Sequence, residues 1–349
     1  MLSGGKLFDE GMYGCIFTPP LECNKKKTTD NEGDDTVLSK IILSSSAKQE
    51  WAISRNIVRI PLWKNYFIVS ESPPCIPSNI QKEKELKECD ILTNPEYELS
   101  DFRILNMPYG GIPLSAYHIN LAEFDFMKFI IHLIEAGALL NLFGIVHRDI
   151  HQGNILVDND GVLRIIDFNL SLFVQDNITV TNLKHKYEYN LAQEPPDSTL
   201  VNAIFLGYNY ERIIDSVVNK KNIMKKIRNI LGITSQKQEV SLDTFYRESK
   251  SMKVGDEVMW FKNYWRTIDS WAIGVNIIDL ISKLSIWPEF TYTLNKVKPT
   301  LFPVLKRMCE VNPKKRIDCV QALKHLAPQS FIIRKYGKMW LEKVGNGNI

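Results

Sequence analysis

One stretch of the sequence constrains the possible fold more than any other. It consists of two short apolar runs joined by a tight turn, with polar side chains at their outer ends. The runs Ile155–Val157 and Leu163–Ile166 flank Asp158-Asn159-Asp160-Gly161, a turn typical of a β-hairpin. His147-Arg148-Asp149-Ile150-His151-Gln152-Gly153-Asn154 precedes the first run, and Asp167 follows the second. An Asp and an Asn before a hairpin, with a second Asp at its far end, can converge on one site.

That set of polar groups suits the chemistry of phosphoryl transfer. The transition state spreads negative charge over the transferred oxygens, so catalysis requires positioning and electrostatic stabilisation. Oxygens of Asn154 and Asp167 suit Mg²⁺, which prefers hard ligands. A further carboxylate, Asp149, can orient an attacking hydroxyl group.

Three upstream features supply the other groups that such a reaction needs. Gly11-Met12-Tyr13-Gly14 lies between two predicted strands, where glycine lets the backbone approach a phosphate. Lys40 lies on the next predicted strand, and Glu50 on the helix after it could pair with Lys40. Each feature alone is a weak signal, because glycine turns and strand lysines are common.

Composition excludes several other classes of protein. The 349 residues are 44% hydrophobic and 24% charged, with a net charge of +3, which is too mild to favour nucleic acid or membrane as the main partner. The apolar stretch Phe126–Val146 is interrupted by charged and polar residues, so it is predicted to be a buried amphipathic helix. The start of the chain has no apolar signal core.

The six cysteines, at positions 15, 23, 75, 89, 309 and 319, form no CxxC pair and fit no zinc spacing. A chain of this length does not need disulfides for its stability. We therefore expect reduced cysteines and a cytoplasmic location.

Periodicity divides the chain into a small strand-rich part, 1–108, and a larger helical part, 109–349. The first part has polar inserts at 19–35 and 71–98, and the second part has an insert at about 198–262. This last insert contains a predicted basic amphipathic helix. We interpret it as an ordinary surface helix with a solvated lysine face. Strands are predicted within 6–20 and at Val37–Leu43, Tyr66–Val69 and Phe102–Met107; helices at 46–59 and 121–143.

The ordered motifs resemble those of the protein kinase superfamily, from about residue 7 to about 325. His147-Arg148-Asp149, Asn154 and Asp167-Phe168 follow the spacing HRDxxxxN…DF, which is highly specific. Asp269-Ser270-Trp271-Ala272-Ile273-Gly274 resembles the DxWxxG helix start, and Asn312–Arg316 resembles the late arginine motif, with Asp197 as the natural partner of Arg316. The long inserts are reminiscent of divergent serine/threonine kinases of large DNA viruses.

The resemblance implies a two-lobed α+β fold, with ATP and Mg²⁺ as cofactors. It implies that Asp149 accepts the substrate proton, that Asn154 and Asp167 hold Mg²⁺, and that Asp269 accepts backbone N–H bonds from the catalytic loop. Lys40, held by Glu50, would contact the ATP phosphates. The remaining predicted nucleotide-binding residues are Asp9, Gly11, Met12, Tyr13, Gly14, Ile16, Met107, Pro108, Tyr109 and Gly110.

Regulation by phosphorylation is also implied by the resemblance. Arg148 would suit a kinase switched by a phosphate in its activation segment. Candidate acceptors are Ser171, Thr179, Thr181, Tyr187 and Tyr189.

Three residues depart from the family pattern. Asp9 replaces the first glycine of the loop between the first two strands. Asn169 replaces the glycine after Phe168. We expect left-handed backbone at position 169, a conformation that asparagine tolerates. His151 replaces the lysine that steadies the γ-phosphate in serine/threonine kinases, and so favours small-molecule phosphotransferases, which often have HxDxHxxN.

The sequence thus predicts an ATP- and Mg²⁺-dependent serine/threonine protein kinase acting on protein substrates, with neither nucleic acid nor membrane as a partner. A small-molecule kinase of aminoglycoside or lipid type, and a pseudokinase scaffold, are the alternatives. The Asp269 and Arg316 motifs oppose the first alternative, and the complete set Lys40, Asp149, Asn154 and Asp167 opposes the second.

Overall fold

A computed structural model describes residues 6–11, 14–24, 37–78, 86–183 and 187–347. The chain divides into two compact units: Met1–Ile112 with Leu156–Leu170, and Pro113–Ile155 with Ser171–Ile349. The first is rich in β-strand and the second is mainly helical, which confirms the predicted two-lobed α+β class. The hairpin residues 156–170 group with the first unit, and a boundary at residue 108 stays a prediction.

The strands and helices are numbered here in chain order. The strands are β1 (Lys6–Gly11), β2 (Gly14–Thr18), β3 (Val37–Leu43), β4 (Phe102–Pro108), β5 (Ile112–Pro113), β6 (Ile145–Val146), β7 (Ile155–Val157), β8 (Leu163–Ile165) and β9 (Leu172–Phe173). The helices are α1 (Ser44–Ile57), α2 (Asp90–Thr93), α3 (Phe126–Leu142), α4 (Val180–Leu183), α5 (Pro196–Phe205), α6 (Tyr210–Asp215), α7 (Asn222–Leu231), α8 (Ser235–Glu248), α9 (Lys250–Val254), α10 (Glu257–Tyr264), α11 (Ile268–Leu284), α12 (Pro288–Met308), α13 (Cys319–Leu326) and α14 (Lys338–Val344).

The main sheet of the first unit is antiparallel, in the order β1-β2-β3-β4. Side chains alternate between the two faces of a strand, so Lys40 and Ile42 of β3 lie on the same face. Ile42 packs against Ala47 of α1 and Leu105 of β4. That packing places the Lys40 side chain on the face that α1 covers.

The opposite face of this sheet carries a second buried cluster, and here the expectation of reduced cysteines is wrong. Cys15 of β2 is disulfide-bonded to Cys89, and Cys23 to Cys75, while Cys309 and Cys319 are free and buried. Cys15 and Cys89 are fully buried beside Phe17, Ile41 and Phe102. Cys23–Cys75 joins the two predicted polar inserts, and Cys15–Cys89 joins β2 to the second of them. Apolar residues of that insert, among them Leu86 and Ile91, pack against the buried cluster.

The predicted strand Tyr66–Val69 is not formed. Phe67 makes a single parallel bridge to Ile165, through the N–H of Ile68 and the carbonyl oxygen of Tyr66. All four residues are buried. The apolar run therefore predicts correctly that this segment is buried, but not that it forms a strand. Periodicity alone does not distinguish a strand from another buried conformation in so short a run.

The core of the second unit is formed by α3 and α11, which lie close together at one glycine. A Cβ atom at Gly137 of α3 would lie 2.5 Å from Cδ1 of Ile273 and 2.6 Å from Sγ of Cys319. Such distances are shorter than real contacts, so Gly137 permits the close approach of α3, α11 and α13. The helix predicted at 121–143 is confirmed, although it begins at Phe126 behind the N-cap Asp125.

The insert at about 198–262 is helical almost throughout, from α5 to α10. The basic helix α7 buries Ile223, Met224, Ile227 and Leu231. Lys225 of this helix is exposed, as expected of a solvated lysine face, while Lys226 pairs with Asp279 of α11. Lys221, at the N-cap position, differs: it is only 1% exposed and donates to the carbonyl oxygen of Glu194 (2.6 Å). Within the described residues, no helix has the length and apolarity that a membrane crossing requires.

Burial of Lys221 generates a prediction about stability and pH. Burial lowers the pKa of Lys221 from 10.5 to about 8, although the carboxylates of Glu194 and Asp197 oppose the change. Between pH about 8 and about 10.5 the folded chain has released this proton while the unfolded chain still holds it. The free energy of unfolding should therefore rise with pH in this window, by at most about 1.4 kcal/mol per pH unit.

We expect Lys221→Met to lack this rise when urea unfolding is measured from pH 7 to 10.5. The control is Lys220→Met, which alters the exposed neighbouring lysine. Identical pH profiles for the wild type and Lys221→Met would show that Lys221 keeps its proton when buried.

Candidate functional site

Lys40 lies between two carboxylates in the first unit. Its Nζ is 2.9 Å from Oε2 of Glu50 and 2.7 Å from Oδ1 of Asp167, which confirms the predicted pairing with Glu50. Burial alone would lower the pKa of Lys40, but the two carboxylates outweigh it and raise the pKa above its usual value. The ammonium group is therefore charged at any physiological pH, as a phosphate contact requires.

The glycine turn between β1 and β2 is closely packed at one end only. A Cβ at Gly14 would lie 2.1 Å from the carbonyl oxygen of Ile41, whereas at Gly11 the nearest atom is 3.8 Å away. Gly14 is thus required by the sheet, and Gly11 has room around it. Met12 and Tyr13 lie outside the described residues.

Asp9 and Ile16 lie on the two strands that flank this turn, and their backbones pair across the ladder. Asp9 is exposed, and its Oδ1 accepts the N–H of Glu10 (2.9 Å). The carboxylate that replaces the usual glycine is therefore engaged locally with the backbone of its own strand.

The end of β4 and the two residues after it contain the predicted adenine-binding residues Met107 to Gly110, at the edge of the sheet. Met107 packs against the cluster of Ile42, Ala47 and Leu105, and Pro108 pairs with Val37 at the end of the ladder. Gly110 has no space for a side chain, since a Cβ would lie 2.0 Å from Cδ1 of Ile68. Tyr109 is 44% exposed, and its ring makes an edge contact with Phe8 of β1.

In the second unit, one buried carboxylate, that of Asp269, holds the backbone of the loop between β6 and β7. Oδ2 of Asp269 accepts the N–H of His147 (2.7 Å) and Oδ1 accepts the N–H of Arg148 (2.9 Å). Burial raises the pKa of Asp269, and these bonds and the nearby His147 oppose the rise. The bracing role predicted for Asp269 is confirmed by these contacts.

Two further polar residues of α11 hold the same loop, and the sequence reasoning missed both. Nδ2 of Asn276 donates to the carbonyl oxygen of Ile150 (2.9 Å), and Oδ2 of Asp279 accepts from Nε2 of Gln152 (2.6 Å). Their spacing from Asp269, seven and ten residues, places all three on one helix face. Polar residues at helical spacing in an apolar helix were the available signal.

Asp149 and Asn154 are oriented by contacts within this unit. Nε2 of Gln193 donates to Oδ1 of Asp149 (2.9 Å), while Nδ2 of Asn154 donates to the backbone oxygen of Asp149 (3.0 Å). The Asn154 amide contacts Asp149, at its backbone oxygen and at Oδ2 (3.4 Å), through its nitrogen and not through its Oδ1. The sequence reasoning missed Gln193, whose position two residues before Pro195 in the motif segment was its only signal.

His151 interacts with the loop on both sides of its ring. Nδ1 accepts the N–H of Gly153 (3.0 Å), and Nε2 lies 3.8 Å from Oδ2 of Asp149. His151 thus has its Nε2 beside Asp149, where the family pattern has a lysine.

The backbone around Phe168 differs from the expectation in one respect. The left-handed conformation lies at Asp167 (φ 64°) and not at Asn169. Aspartate is among the few residues that adopt it at low cost. Asn169 is 7% exposed, and its Oδ1 has no hydrogen-bond partner among the described residues.

Arg148 also has left-handed backbone (φ 71°), and its guanidinium binds main-chain oxygens. Nη1 donates to Asn182 (2.8 Å) and Nη2 to Leu183 (3.1 Å), at the end of α4. Burial lowers the pKa of Arg148, and Glu194 is foremost among the carboxylates that oppose this change.

The predicted phosphate acceptors differ in accessibility. Ser171 is buried, and its hydroxyl donates to the carbonyl oxygen of His147 (3.4 Å). Thr179 and Thr181 are exposed, and Tyr187 and Tyr189 are partly exposed. Ser171 is therefore the least accessible of the five candidates.

The late arginine motif forms the predicted ion pair. Nη2 of Arg316 binds Oδ1 of Asp197, and both side chains are fully buried. The other oxygen of Asp197 accepts from Nε1 of Trp260 (3.0 Å), and the Arg316 guanidinium lies 5.5 Å from the centre of the Trp271 ring. Trp260 belongs to the insert, so the insert contributes a hydrogen bond to this buried motif.

Comparison with known proteins agrees with this geometry. A profile of the protein kinase domain matches residues 102–194. A probable serine/threonine-protein kinase of Dictyostelium discoideum is 22% identical over 79% of this chain and 46% of its own length. A MAP kinase kinase kinase of Saccharomyces cerevisiae is 25% identical over 70% of this chain and 16% of its own, and a serine/threonine-protein kinase of Schizosaccharomyces pombe is 25% identical over 56% and 30%.

The chain is thus similar to protein kinases over the residues that the profile and these relatives match. It spans less than half the length of each of these three relatives. The family match and the buried motifs of the second unit thus agree on the type of fold.

The buried pair Asp197–Arg316 predicts a large effect on stability. Asp197→Ala would leave the Arg316 guanidinium uncompensated in the core, at a cost of about 3–5 kcal/mol in the free energy of unfolding. Arg316→Met combined with Asp197→Leu removes both charges and should recover much of that loss. Urea unfolding followed by circular dichroism measures both effects.

The matched control is Asp243→Ala, which breaks the exposed pair with Arg247. Its effect should be much smaller, because solvent screens exposed pairs. Equal destabilisation by Asp197→Ala and Asp243→Ala would contradict the structural importance of the buried pair.

Proposed function

We propose that this chain transfers the γ-phosphoryl group of ATP to serine or threonine hydroxyls of protein substrates, in the presence of Mg²⁺. The observation that carries the proposal is the orientation of Asp149. Its loop is fixed by Asp269, and one of its oxygens is held by Gln193.

In this proposal Asp149 orients the attacking hydroxyl and accepts its proton. Gln193 donates to Oδ1 at 2.9 Å, and Oδ2, which accepts only a longer contact from Nδ2 of Asn154 (3.4 Å), is the oxygen that would receive the substrate hydroxyl. Nε2 of His151 lies 3.8 Å from Oδ2 of Asp149, where it would donate to a γ-phosphate oxygen in place of the lysine of the family pattern.

The first unit would bind the nucleotide. The charged Lys40, held by Glu50, would contact the α- and β-phosphates, and the backbone between Gly11 and Gly14 would approach them. Met107 would limit the adenine pocket, and the backbone of Pro108 to Gly110 would bond adenine. Asp9 and Ile16 complete the proposed nucleotide-binding set.

Asn154 and Asp167 are the proposed ligands of Mg²⁺, which would neutralise charge on the phosphates when bound. Both supply hard oxygen ligands of the kind Mg²⁺ prefers. The amide nitrogen of Asn154 donates to Asp149, and its Oδ1 would serve as the ligand. Oδ1 of Asp167 also contacts Nζ of Lys40, so this proposed metal ligand pairs directly with the proposed phosphate-binding lysine.

The nature of the acceptor is proposed from the second unit and from the relatives. Two relatives are named as serine/threonine-protein kinases. The Asp269 bonds and the Asp197–Arg316 pair are elements that the resemblance associates with protein kinases rather than small-molecule kinases. His151 is the one observation that favours a small-molecule acceptor, so the assay below includes both classes.

The test is a transfer assay with labelled ATP, Mg²⁺ and generic protein substrates, followed by phosphoamino-acid analysis. We expect label on serine and threonine, and a loss of about 10²–10⁴-fold in turnover for Asp149→Asn, because the general base is removed. Asp160→Asn, at the exposed hairpin turn, is the control with the same chemical change and should keep wild-type turnover.

Three results would contradict the proposal. Transfer only to small alcohols or aminoglycosides would assign the chain to small-molecule kinases. Nucleotide binding without transfer would identify a scaffold. Full turnover in Asp149→Asn would remove the catalytic assignment of that residue.

Gln193 provides a second prediction. Gln193→Leu removes the donor to Asp149, and we expect kcat to fall about tenfold with the KM for ATP unchanged, the change that about 1.4 kcal/mol of lost positioning produces. Gln193→Glu places a second carboxylate beside Asp149, so the acidic limb of the pH–rate profile should move to higher pH.

The control for Gln193 is Gln175→Leu, an exposed glutamine of the same unit. A merely structural role would lower the amount of folded protein without moving the pH profile of Gln193→Glu. A rise in kcat for Gln193→Leu would show that Gln193 blocks Asp149 instead of positioning it.

A further inference from the structure

A cavity of about 480 Å³ lies in the second unit between the α7–α8 connection and the end of α12. It involves neither Asp149 nor any other residue of the proposed catalytic set. One wall comes from the insert, whose role the proposed function leaves unexplained. Its size is within the range of small-molecule sites in proteins.

The polar lining of this cavity is predominantly cationic. Lys237, Lys306 and Arg307 contribute three positive charges, and Glu310 one negative charge. Oε1 of Glu310 is engaged, because it accepts from Oγ of Ser241 (2.8 Å) and more weakly from the N–H of Asn312 (3.3 Å). The cavity therefore has a net charge of about +2 by this count of lining residues.

Two buried donors in the lining have no hydrogen-bond partner among the described residues: Nε2 of Gln238 and Nε of Arg307. Gln238 is 4% exposed, and its Oε1 accepts from Nη1 of Arg228 (3.3 Å). A guanidinium can only donate, so the Gln238 oxygen faces Arg228 and the amide nitrogen faces elsewhere. Leaving a buried donor unpaired is costly, and both of these residues belong to the cavity lining.

The start of α8 adds a further preference for negative charge. Thr234 caps this helix by accepting the N–H of Lys237 (3.2 Å), and both residues line the cavity. The N-terminus of a helix carries a partial positive charge that favours anions. Ile233, Pro303, Val311 and the buried Cys309 add apolar surface to the lining.

We propose that this cavity binds a small organic phosphate monoester, with the phosphate at the basic residues and an apolar body against Ile233, Pro303 and Val311. A net charge of about +2 matches a phosphate dianion. Arg307, Gln238 and the two lysines also offer more donors than the two oxygens of a carboxylate can use. The bound ligand would join the insert helix α8 to α12.

The experiment is isothermal titration calorimetry of the full chain with phenyl phosphate. Saturable binding is expected in the wild type, and affinity should fall at least about tenfold in Lys237→Glu/Lys306→Glu, equivalent to 1.4 kcal/mol. Both lysines are exposed, so the double variant should fold. The matched control Lys225→Glu/Lys298→Glu makes the same charge change at exposed lysines outside the cavity and should bind as the wild type does.

Arg307→Lys separates directed hydrogen bonding from net charge. It keeps the positive charge but removes the Nε donor, and affinity should again fall about tenfold. Lys40→Met should bind phenyl phosphate like the wild type, which distinguishes this cavity from the proposed nucleotide site. None of these measurements depends on phosphoryl transfer, so the inference and the proposed function can fail separately.

The absence of saturable binding in the wild type would overturn the inference, and so would an equal loss of affinity in the two double variants. Binding abolished by Lys40→Met alone would place the ligand at the nucleotide site. Benzoate that binds as tightly as phenyl phosphate would overturn the assignment of the ligand as a phosphate monoester.

Discussion

Much of the second unit depends on one buried carboxylate, that of Asp269, and its two bonds to the backbone of His147 and Arg148. An Asp at the start of α11 is costly to bury, and it is stable there because main-chain N–H groups replace its water. The bonds also hold Arg148 in left-handed backbone, a conformation that a non-glycine residue adopts at a cost. Folding energy from the α11 core is thus used to fix the loop that carries Asp149.

In the first unit the buried charge is positive, and it too needs groups that compensate for the loss of water. Lys40 is buried on the α1 face of the sheet, where an isolated ammonium group would lose its proton. Glu50 and Asp167 keep it charged, and each lies within 3 Å of its Nζ. Because Asp167 and Glu50 both contact Nζ, a change at either carboxylate alters the electrostatic environment of Lys40. The arrangement couples the lysine that would meet the phosphates to the carboxylate proposed to meet the metal.

The sequence was most informative where function imposes a residue type at a fixed spacing. The Lys40–Glu50 pair, the Asp269 bonds and the Asp197–Arg316 pair follow from motifs, and strands such as Val37–Leu43 follow from apolar runs. The sequence was least informative where the structure depends on contacts between residues that are far apart in the chain. Cys15 and Cys89 lie 74 residues apart, and no local pattern predicts that both enter one buried cluster. Gln193 was missed for the same reason, since its contact with Asp149 exists only after folding.

The insert shows why a segment with no motif can still belong to the core. Its basic composition suggested a solvated face, yet Lys221 is buried against Glu194, and Trp260 donates to Asp197. Both contacts meet the Glu194–Asp197 stretch, which also lies next to Gln193 in the chain. Polar atoms of the insert therefore satisfy groups that would otherwise be buried without partners. The stretch that the insert contacts therefore adjoins Gln193, whose side chain donates to an oxygen of Asp149.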